Sequence, residues 1–411
     1  MKELKTVCDE LIKFFNIDDI GYLGDKLKEI IFSDNRDDIY DRYIELVEDM
    51  DIDWIQKIFQ YYKSNRSDFK QDYTPKSLAK CLAKMVYWEG AKTAYDACSG
   101  SGSLVIELHK LDNKIEFVCE EFDDNVIPYL LFNLSIRNIS AVVIKGDIVK
   151  QERYNFYKLT PGNKYSKIEI IDGYDIGNFD IITSNPPFNL EKFRNSRNFN
   201  FGIEVKNSSN SYFLLHCMEL LSDEGRMGII LPTGYVASQK KDDLAVREYL
   251  VEQGLMEAVV SCPGSFFEST PVNTSIILIN KDKIDNRFVL IDNTSKNCTE
   301  WIREQRGQFG GAAHTSRVYK KKFNVFSDDN IDKILKTIIE RVKEDDYSVV
   351  MTYVGFNENF SYSPGQYFPV KIQYVNITQE QYDNMIASFF KGFDEFCDGI
   401  VKAQEEFEKV L

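Results

Sequence analysis

Residues 93–104 read Thr-Ala-Tyr-Asp-Ala-Cys-Ser-Gly-Ser-Gly-Ser-Leu, and the architecture expected for the chain starts from this stretch. A short buried strand is predicted over 93–96, and a helix is predicted to begin at Ser103. The two glycines between them allow a tight turn and a close approach of the backbone to a ligand, which the N–H groups at the helix start can bind. Val105 stands in place of the third glycine of the dinucleotide fingerprint, which disfavours a pyrophosphate ligand and hence a dehydrogenase.

Short strands alternate with helices on both sides of this stretch, from about residue 69 to residue 325. An irregular stretch is expected after the third strand. The predicted strands are 93–96, 115–121, 141–147, 179–185, 227–231, 256–261, 275–280 and 288–292. This alternation predicts an α/β fold with a Rossmann-like, mostly parallel sheet and right-handed crossovers. Ligands of such sheets bind outside the carboxyl ends of the strands.

The regions on either side of the sheet are predicted to be helical. Residues 1–68 form a predicted N-terminal helical domain, 69–325 form the sheet domain, and 326–411 form a C-terminal region that ends in a long helix. That helix carries an apolar stripe at helical spacing, made of Tyr382, Met385, Ile386, Phe389, Phe390, Phe393, Phe396, Ile400 and Val401. The stripe fits either packing on the chain's own body or a contact with another subunit.

Two carboxylates end the next two predicted strands. Glu121 follows the glycine-rich loop by about 20 residues, where a carboxylate can accept both hydroxyls of a ribose. Asp147 can accept a hydrogen bond from an adenine amine, and Ile148 can pack against the ring. Each acid alone is more often a solvated strand end, but their placement at successive strand ends predicts one ligand site.

Asn185-Pro186-Pro187-Phe188, at the end of the fourth predicted strand, is the most informative tetrapeptide of the chain. An exocyclic amine on an aromatic base is a poor nucleophile because its lone pair is delocalised into the ring. The side-chain carbonyl of Asn185 and the backbone carbonyl of Pro186 can each accept one N–H of such an amine, which draws its nitrogen towards tetrahedral geometry. The prolines fix the backbone in advance, and Phe188 offers a face for stacking an extruded base.

Composition limits the remaining classes of function. The chain has a formal net charge of −15, eight cysteines and three histidines. The scattered cysteines and few histidines predict reduced thiols and no metal centre. Without a secretory segment or an apolar run of about 20 residues, the chain is expected to be soluble and cytoplasmic. Because neutralising phosphates needs basic surface, an acidic chain acting on DNA requires a local basic patch or a partner.

Two local basic stretches are candidates for contact with phosphates. The first is the asparagine-rich loop 189–210, which carries Lys192, Arg194, Arg197 and Lys206. The second lies around Gly310-Gly311 and comprises Arg303, Arg306, Arg317, Lys320, Lys321 and Lys322. The composition of the first suits either a loop that contacts a DNA strand or a plain solvated insertion.

Taken in order, these motifs resemble the N6-adenine DNA methylase family, most closely the modification subunit of type I restriction–modification systems. The resemblance covers roughly residues 70–411 and rests on Tyr73-Thr74-Pro75, 96–104, Glu121, Gly146-Asp147, Asn185-Pro186-Pro187-Phe188, 225–232, Phe266-Phe267, Asn273-Thr274 and 362–367. Two features depart from the family: the N-terminal helical region is short, and Ala97 stands where proline is common.

The resemblance implies an S-adenosylmethionine-dependent methyltransferase that transfers a methyl group to N6 of a flipped adenine in DNA, without a metal. Catalysis is then expected from Asn185, Pro186, Pro187 and Phe188. The implied cofactor contacts are Tyr73, Thr74, Pro75, Asp96, Cys98, Gly100, Ser101, Gly102, Ser103, Glu121, Asp147, Ile148 and Asn185.

The resemblance also implies partners. These are double-stranded DNA, a separate DNA-specificity subunit and a second copy of the chain, with an endonuclease subunit allowed and no membrane involved. The family uses a C-terminal helix in assembly, which agrees with the apolar stripe. Three alternatives stay open: an amine or amide methyltransferase acting on RNA or protein, a cytosine N4 methyltransferase, and an inactive DNA-binding scaffold.

Overall fold

The computed structural model describes residues 4–62, 73–267, 272–283, 285–294, 299–306, 318–356, 359–369 and 377–408. The chain divides into two compact units, Met1–Phe368 and Pro369–Leu411. The boundaries predicted near residues 68 and 325 for three domains stay predictions.

Eleven strands of the first unit form one sheet within the described residues. They are β1 (Thr93–Asp96), β2 (Glu116–Glu121), β3 (Ala141–Asp147), β4 (Glu152–Thr160), β5 (Lys167–Ile171), β6 (Phe179–Ser184), β9 (Leu221–Pro232), β10 (Met256–Ser261), β11 (Thr274–Asn280), β12 (Phe288–Asp292) and β15 (Ser348–Met351). Two hairpins stand apart from it, β7 (Arg197–Asn198) with β8 (Glu204–Val205), and β13 (Thr299–Arg306) with β14 (Val318–Val325).

Helices flank the strands along the chain. They are α1 (Leu4–Phe15), α2 (Leu23–Ile31), α3 (Arg36–Val47), α4 (Trp54–Tyr62), α5 (Lys76–Val86), α6 (Ser103–Leu111), α7 (Ile127–Ile136), α8 (Ser209–Glu219), α9 (Thr233–Val236), α10 (Lys241–Glu252), α11 (Asp328–Glu340) and α12 (Gln379–Glu408). Short 3-10 turns occur at Ile20–Tyr22, Tyr353–Gly355 and Pro364–Gln366.

The strand order in the sheet is β15-β12-β10-β11-β9-β6-β1-β2-β3-β4-β5. Eight of these eleven strands run in the same direction, and β4, β11 and β15 are reversed. The predicted α/β fold with a mostly parallel, Rossmann-like sheet is therefore confirmed. β1 pairs in parallel with β2 on one side and with β6 on the other. The strands β2 and β3 therefore lie on one side of β1, and β6, which comes later in the chain, lies on the other. A crevice at the carboxyl ends of β1 and β6 is where ligands of open α/β sheets bind.

The prediction of an irregular stretch after the third strand was wrong, because that stretch contains β4 and β5. Both strands are antiparallel additions at the sheet margin, and most of their residues are half-buried or exposed. A strand exposed in this way lacks the continuous apolar run of a central parallel strand, so its sequence reads as a loop.

Two apolar cores lie on opposite faces of the sheet, and the alternation along β1 separates them. Ala94 belongs to one core, together with residues of α1–α7 and α11, whereas Tyr95 belongs to the other, together with α8 and α10. The N-terminal helices join the first core directly: the rings of Phe15, Tyr40 and Tyr43 pack against Phe132 of α7, with centroids 5.0–6.2 Å apart.

The second unit contains α12, a helix of 30 residues that carries the predicted apolar stripe. No helix in the described part of the chain is both long and apolar enough to cross a membrane.

Candidate active site

A cavity of about 1150 Å³ opens at the carboxyl ends of β1, β2, β3 and β6. Thirteen of the sixteen predicted site residues line it: Tyr73, Thr74, Cys98, Gly100, Ser101, Ser103, Glu121, Asp147, Ile148, Asn185, Pro186, Pro187 and Phe188. The other three, Pro75, Asp96 and Gly102, do not line it. Residues from four separate strand ends are thus brought together as the sequence predicts.

Two glycines with positive φ shape the loop between β1 and α6. Gly100 (φ 53°) lines the cavity, and its N–H donates to Glu121 Oε2 at 2.8 Å. Gly102 (φ 93°) instead meets the core, where an added Cβ would stand 3.0 Å from Leu130 Cδ1. The first glycine therefore opens the loop to a ligand, while the second lets α7 pack closely against it.

Backbone donors hold Glu121 through both of its carboxylate oxygens. Oε2 accepts from Gly100, and Oε1 accepts from the N–H groups of Phe122 and Asp123 at 2.8 and 2.9 Å. Burial raises the pKa of the Glu121 carboxyl, and these three hydrogen bonds oppose that rise. Because a carboxylate oxygen can accept more than one hydrogen bond, Oε2 can also take a hydroxyl of a ligand.

Asp147 closes the turn that follows β3. Its Oδ1 accepts from the N–H groups of Val149 and Lys150 at 3.0 and 3.1 Å, and its Oδ2 lies 3.5 Å from Lys150 Nζ. An amine of a ligand would meet Oδ2 beside this lysine, whose side chain is 64% exposed and can move aside. Ile148 is buried and presents an apolar surface to the cavity.

The loop that begins at Asn185 is oriented by contacts from distant parts of the chain. Asn185 Nδ2 donates to Thr74 Oγ1 at 3.0 Å, which makes Oδ1 the acceptor that the amide can offer to a substrate. The ring of Phe188 stands at 89° to that of Phe267, with the centroids 6.0 Å apart. Thr74, predicted as a cofactor contact, therefore also orients the predicted catalytic amide.

Tyr73 and Asp96 are both deeply buried. The ring of Tyr73 packs edge-on against Phe59 of α4, at a centroid distance of 6.0 Å, and burial raises the pKa of its hydroxyl well above the usual value. Burial also raises the pKa of Asp96 to about 8, with a further contribution from the nearby Glu121. Asp96 is 1% exposed and does not reach the cavity surface, so the structure does not bring this predicted contact into the site.

Several residues that line the cavity were missed by the sequence analysis, among them Phe122 and Phe213. Phe122 follows Glu121 in the same way that Ile148 follows Asp147, and its side chain is 64% exposed. An apolar residue directly after a strand-end carboxylate is the signal that could have identified it. Phe213 enters from α8, and no local pattern connects that helix with the strand ends.

The N-terminal helices brace the glycine-rich loop, which the sequence did not suggest either. Ser103 Oγ donates to Gln56 Oε1 of α4 at 3.1 Å. Asn133 Nδ2 of α7 lies within 2.9 Å of the Ser101 carbonyl and 3.0 Å of Asp53 Oδ1. Two residues of the cavity wall are thus tied to the start of α4.

Two of the predicted phosphate contacts in the loop 189–210, Arg197 and Lys206, pair with carboxylates of the chain itself. Arg197 pairs with Glu219 and stacks over Phe199, with its guanidinium carbon 4.6 Å from the ring centroid, so it anchors the loop internally. Lys206 pairs with Glu204 at 2.7 Å. In the second basic stretch, Gly310, Gly311, Arg317 and all the basic side chains lie outside the described residues.

The chain is similar to several known proteins. The chain is 23% identical to the type I restriction enzyme MpnII methylase subunit of Mycoplasma pneumoniae, over 94% of this chain and 69% of that one. It is 24% identical to the MjaVIII methylase subunit of Methanocaldococcus jannaschii, over 83% of this chain but only 59% of that one. The chain thus spans about three-fifths to two-thirds of the length of these relatives.

A similar fold occurs in the type I restriction-modification system methyltransferase subunit from Streptococcus thermophilus. The TM-score is 0.58 at 19% identity, covering 89% of this chain and 80% of that one. The profile of the family described as N-6 DNA Methylase matches residues 51–373, which include every predicted site residue. The chain therefore belongs to the N-6 DNA methylase family.

Proposed function

We propose that the chain is an S-adenosylmethionine-dependent methyltransferase that modifies N6 of a flipped adenine in DNA, as the modification subunit of a type I restriction–modification complex. The observation that carries the proposal is the convergence of Asn185-Pro186-Pro187-Phe188 with Glu121 in one cavity. The residue whose carboxylate suits a ribose and the two residues whose carbonyl acceptors suit an amine then line the same space.

The cavity wall fits the cofactor. Glu121 Oε2 would accept ribose hydroxyls, while Phe122 and Ile148 supply apolar surface for an adenine ring. Tyr73 and the loop around Gly100 would surround the methionine end. The volume of about 1150 Å³ exceeds the roughly 300–1,000 Å³ of a pocket for one ligand, which leaves room for a base as well.

Catalysis is proposed to rest on hydrogen-bond acceptors placed in advance. When bound, S-adenosylmethionine would supply the methyl group of its sulfonium, and S-adenosylhomocysteine would leave as the methyl–sulfur bond breaks. Asn185 Oδ1 and the Pro186 carbonyl accept the two N–H groups of the target amine, so its lone pair is withdrawn from conjugation and becomes nucleophilic. Phe188 stacks on the extruded base, and one amine proton leaves to water after the carbon–nitrogen bond has formed.

The remaining regions are proposed to serve assembly. We propose three domains: an N-terminal helical domain (1–68), the catalytic domain (69–325) and a C-terminal region (326–411) through which the chain joins other subunits in the cytoplasm. Apolar residues in α12 recur at alternating spacings of four and three: Tyr382, Ile386, Phe389, Phe393, Phe396, Ile400, Ala403 and Phe407. A mean repeat of 3.5 residues is that of a helix which pairs with another helix.

We propose that this seam joins a DNA-specificity subunit and supports assembly with a second copy of the chain. The net charge of −15 supports the same conclusion, because the partner can supply the basic surface that DNA requires. An endonuclease subunit is compatible with this assembly.

The test uses the full chain, purified from its native host with the subunits that accompany it. It is incubated with tritiated S-adenosylmethionine and unmodified DNA, and the labelled nucleosides are identified by mass spectrometry. The wild type is expected to form N6-methyladenine. Asn185→Ala is expected to lower the rate by about 100- to 1,000-fold, since it removes one of the two acceptors, while binding of S-adenosylmethionine in calorimetry survives because the other wall residues remain.

Other outcomes would contradict the proposal in distinct ways. Label in RNA or protein would indicate an amine or amide methyltransferase, and N4-methylcytosine would change the target base. A wild type that fails to bind S-adenosylmethionine would be a scaffold. Near-normal methylation by Asn185→Ala would overturn the catalytic mechanism.

A further inference from the structure

The first turn of α8 forms hydrogen bonds with the two residues that follow the Asn185–Phe188 loop. Asn210 Oδ1 accepts from the N–H of Asn189 at 3.3 Å, and Asn210 Nδ2 donates to Asn189 Oδ1 at 2.9 Å. The neighbouring Ser209 Oγ accepts from the N–H of Leu190 at 3.0 Å. Asn210 is only 4% exposed, whereas Asn189 is exposed, so the contact is buried on its α8 side.

The same turn also forms hydrogen bonds with the loop that follows Asp147, on another wall of the cavity. The hydroxyl of Tyr212, which is fully buried, lies 3.1 Å from the Ile148 carbonyl and 3.2 Å from the Val149 carbonyl. Ile148 and Val149 both line the cavity. One helical turn therefore contacts the two loops that carry the proposed base site and the proposed cofactor site.

The start of α8 is itself held firmly. Asp243 of α10 accepts from the hydroxyls of Ser208, Ser211 and Ser238, the last two at 2.7 and 2.6 Å. The preceding Asp242 accepts from the backbone N–H groups of residues 206–208 at 2.6–3.2 Å. Because both carboxylates are buried and each accepts three hydrogen bonds, the turn can act as a rigid support.

Asn189 adopts a conformation that needs support. Its φ of 46° lies in the left-handed region, which asparagine tolerates better than most residues but which is still unfavourable in an isolated chain. The two hydrogen bonds to Asn210 select this conformation. They therefore determine the direction in which the chain leaves Phe188.

We infer that Asn210 is a positioning residue for methyl transfer, which acts by fixing Asn189 and with it the loop from Asn185 to Phe188. This inference rests on the proposed function. In the same way, Tyr212 positions Ile148 and Val149, which line the proposed cofactor site. The helix turn then sets the separation between the acceptor carbonyls and the cofactor. A displacement of about 1 Å at such a site can reduce the rate about a hundredfold.

The first measurement needs no catalysis. Amide hydrogen exchange of the full chain without ligand is compared between wild type, Asn210→Ala and Asn207→Ala. Asn207 is an exposed residue of the same loop and serves as the matched control. Asn210→Ala is expected to accelerate exchange at Asn189 and Leu190 by at least tenfold, whereas Asn207→Ala leaves it unchanged.

The second measurement separates rate from cofactor affinity. At saturating S-adenosylmethionine and DNA, Asn210→Ala is expected to lower kcat by about 10- to 100-fold and to leave the dissociation constant for S-adenosylmethionine within twofold. Tyr212→Phe is expected to do the reverse, weakening S-adenosylmethionine severalfold with little change in kcat. A merely structural role would move both quantities together.

Asn189→Gly is a further test, at an exposed position. Glycine tolerates positive φ, and its backbone N–H can still donate to Asn210 Oδ1. This variant is expected to lower kcat less than Asn210→Ala does. Unchanged exchange and kcat in Asn210→Ala would overturn the inference, as would equal losses of rate and cofactor affinity. A wild type without DNA methylation would instead overturn the proposed function, and the exchange measurement would still judge the Asn210–Asn189 contact.

Discussion

The orientation of Asn185 depends on Thr74, a residue 111 positions earlier in the chain. Thr74→Val retains the shape of the side chain but removes the acceptor for Asn185 Nδ2, so the amide can rotate. Loss of one such hydrogen bond is expected to lower kcat about tenfold, which corresponds to about 1.4 kcal/mol. Steady-state methylation kinetics measures the loss of kcat. Thr74→Ser, which retains the hydroxyl, is the control. Equal kcat values for the two variants would contradict this prediction.

Asp96 makes the stability of the folded chain depend on pH. Its pKa is about 8 in the folded state against an ordinary value of 3.8, so the folded chain binds this proton more tightly than the unfolded chain does. The contribution of Asp96 to stability therefore falls as pH rises from about 4 to about 8, and is constant above that range.

Asp96→Asn keeps the size of the side chain and removes its ionisation. The difference in Tm between this variant and the wild type is expected to be small at pH 4 and to grow in favour of the variant up to pH 8. Thermal unfolding across this pH series measures it. A difference that does not change with pH would show that Asp96 stays ionised.

The site residues that the sequence predicts are those whose place follows from the order of strands along the chain. Glu121, Asp147 and Asn185 were predicted because each ends a strand, and the carboxyl ends of parallel strands share one edge of the sheet. Asn210 and Phe213 were not predicted, because nothing in their own segment connects them with those ends. Their roles arise from the packing of α8.

At the level of elements, the two glycines between β1 and α6 are expected to differ. Gly102→Ala combines positive φ with a Cβ 3.0 Å from Leu130, whereas a Cβ at Gly100 would make an ordinary contact of 3.5 Å with Tyr73. Backbone strain of about 1–2 kcal/mol applies to both, but crowding of the core applies only to Gly102.

Denaturant unfolding is therefore expected to show a larger loss of stability for Gly102→Ala. Calorimetry is expected to show a larger loss of S-adenosylmethionine affinity, relative to stability, for Gly100→Ala, because only Gly100 lines the cavity. The opposite ranking in both measurements would contradict the assignment of Gly100 to the ligand site and of Gly102 to core packing.

The central strands and the margin of the sheet differ in how far sequence predicts them. β1, β2, β3 and β6 are short apolar runs bounded by turns, and their predicted positions agree with the structure within a residue or so. β4 and β5 were missed because a marginal antiparallel strand carries many polar residues, such as the run Glu152-Arg153-Tyr154-Asn155. β4 pairs with β3 and β5 pairs with β4, so each depends on a neighbouring strand rather than on its own apolar pattern.

At the level of the whole molecule, assembly and cofactor binding are expected to be separable. Phe393 lies on the proposed seam of α12, and Lys391 lies off it. Phe393→Ser is expected to weaken association with the native partner subunits more than tenfold, because it removes a large apolar side chain from a helix contact. Co-purification and analytical ultracentrifugation measure this, and S-adenosylmethionine affinity should stay unchanged.

Lys391→Ser is the matched control, with the same new residue in the same helix turn. It should leave association intact. Equal weakening by both variants would indicate loss of the helix itself, and no weakening by Phe393→Ser would remove the seam from the assembly.

The placement of β1 between β2 and β6 also has a consequence during synthesis. Asp96 pairs with Thr183, which leaves the ribosome 87 residues later. At roughly 5–20 residues per second this delay is about 4–17 s. Until then one edge of β1 stays open, and the loop at Asn185 has not yet been made. A nascent chain therefore passes through a period in which the residues of β1, β2 and β3 that line the ligand site exist without those after β6. During this period the shortness of β1 limits its pairing with a wrong strand.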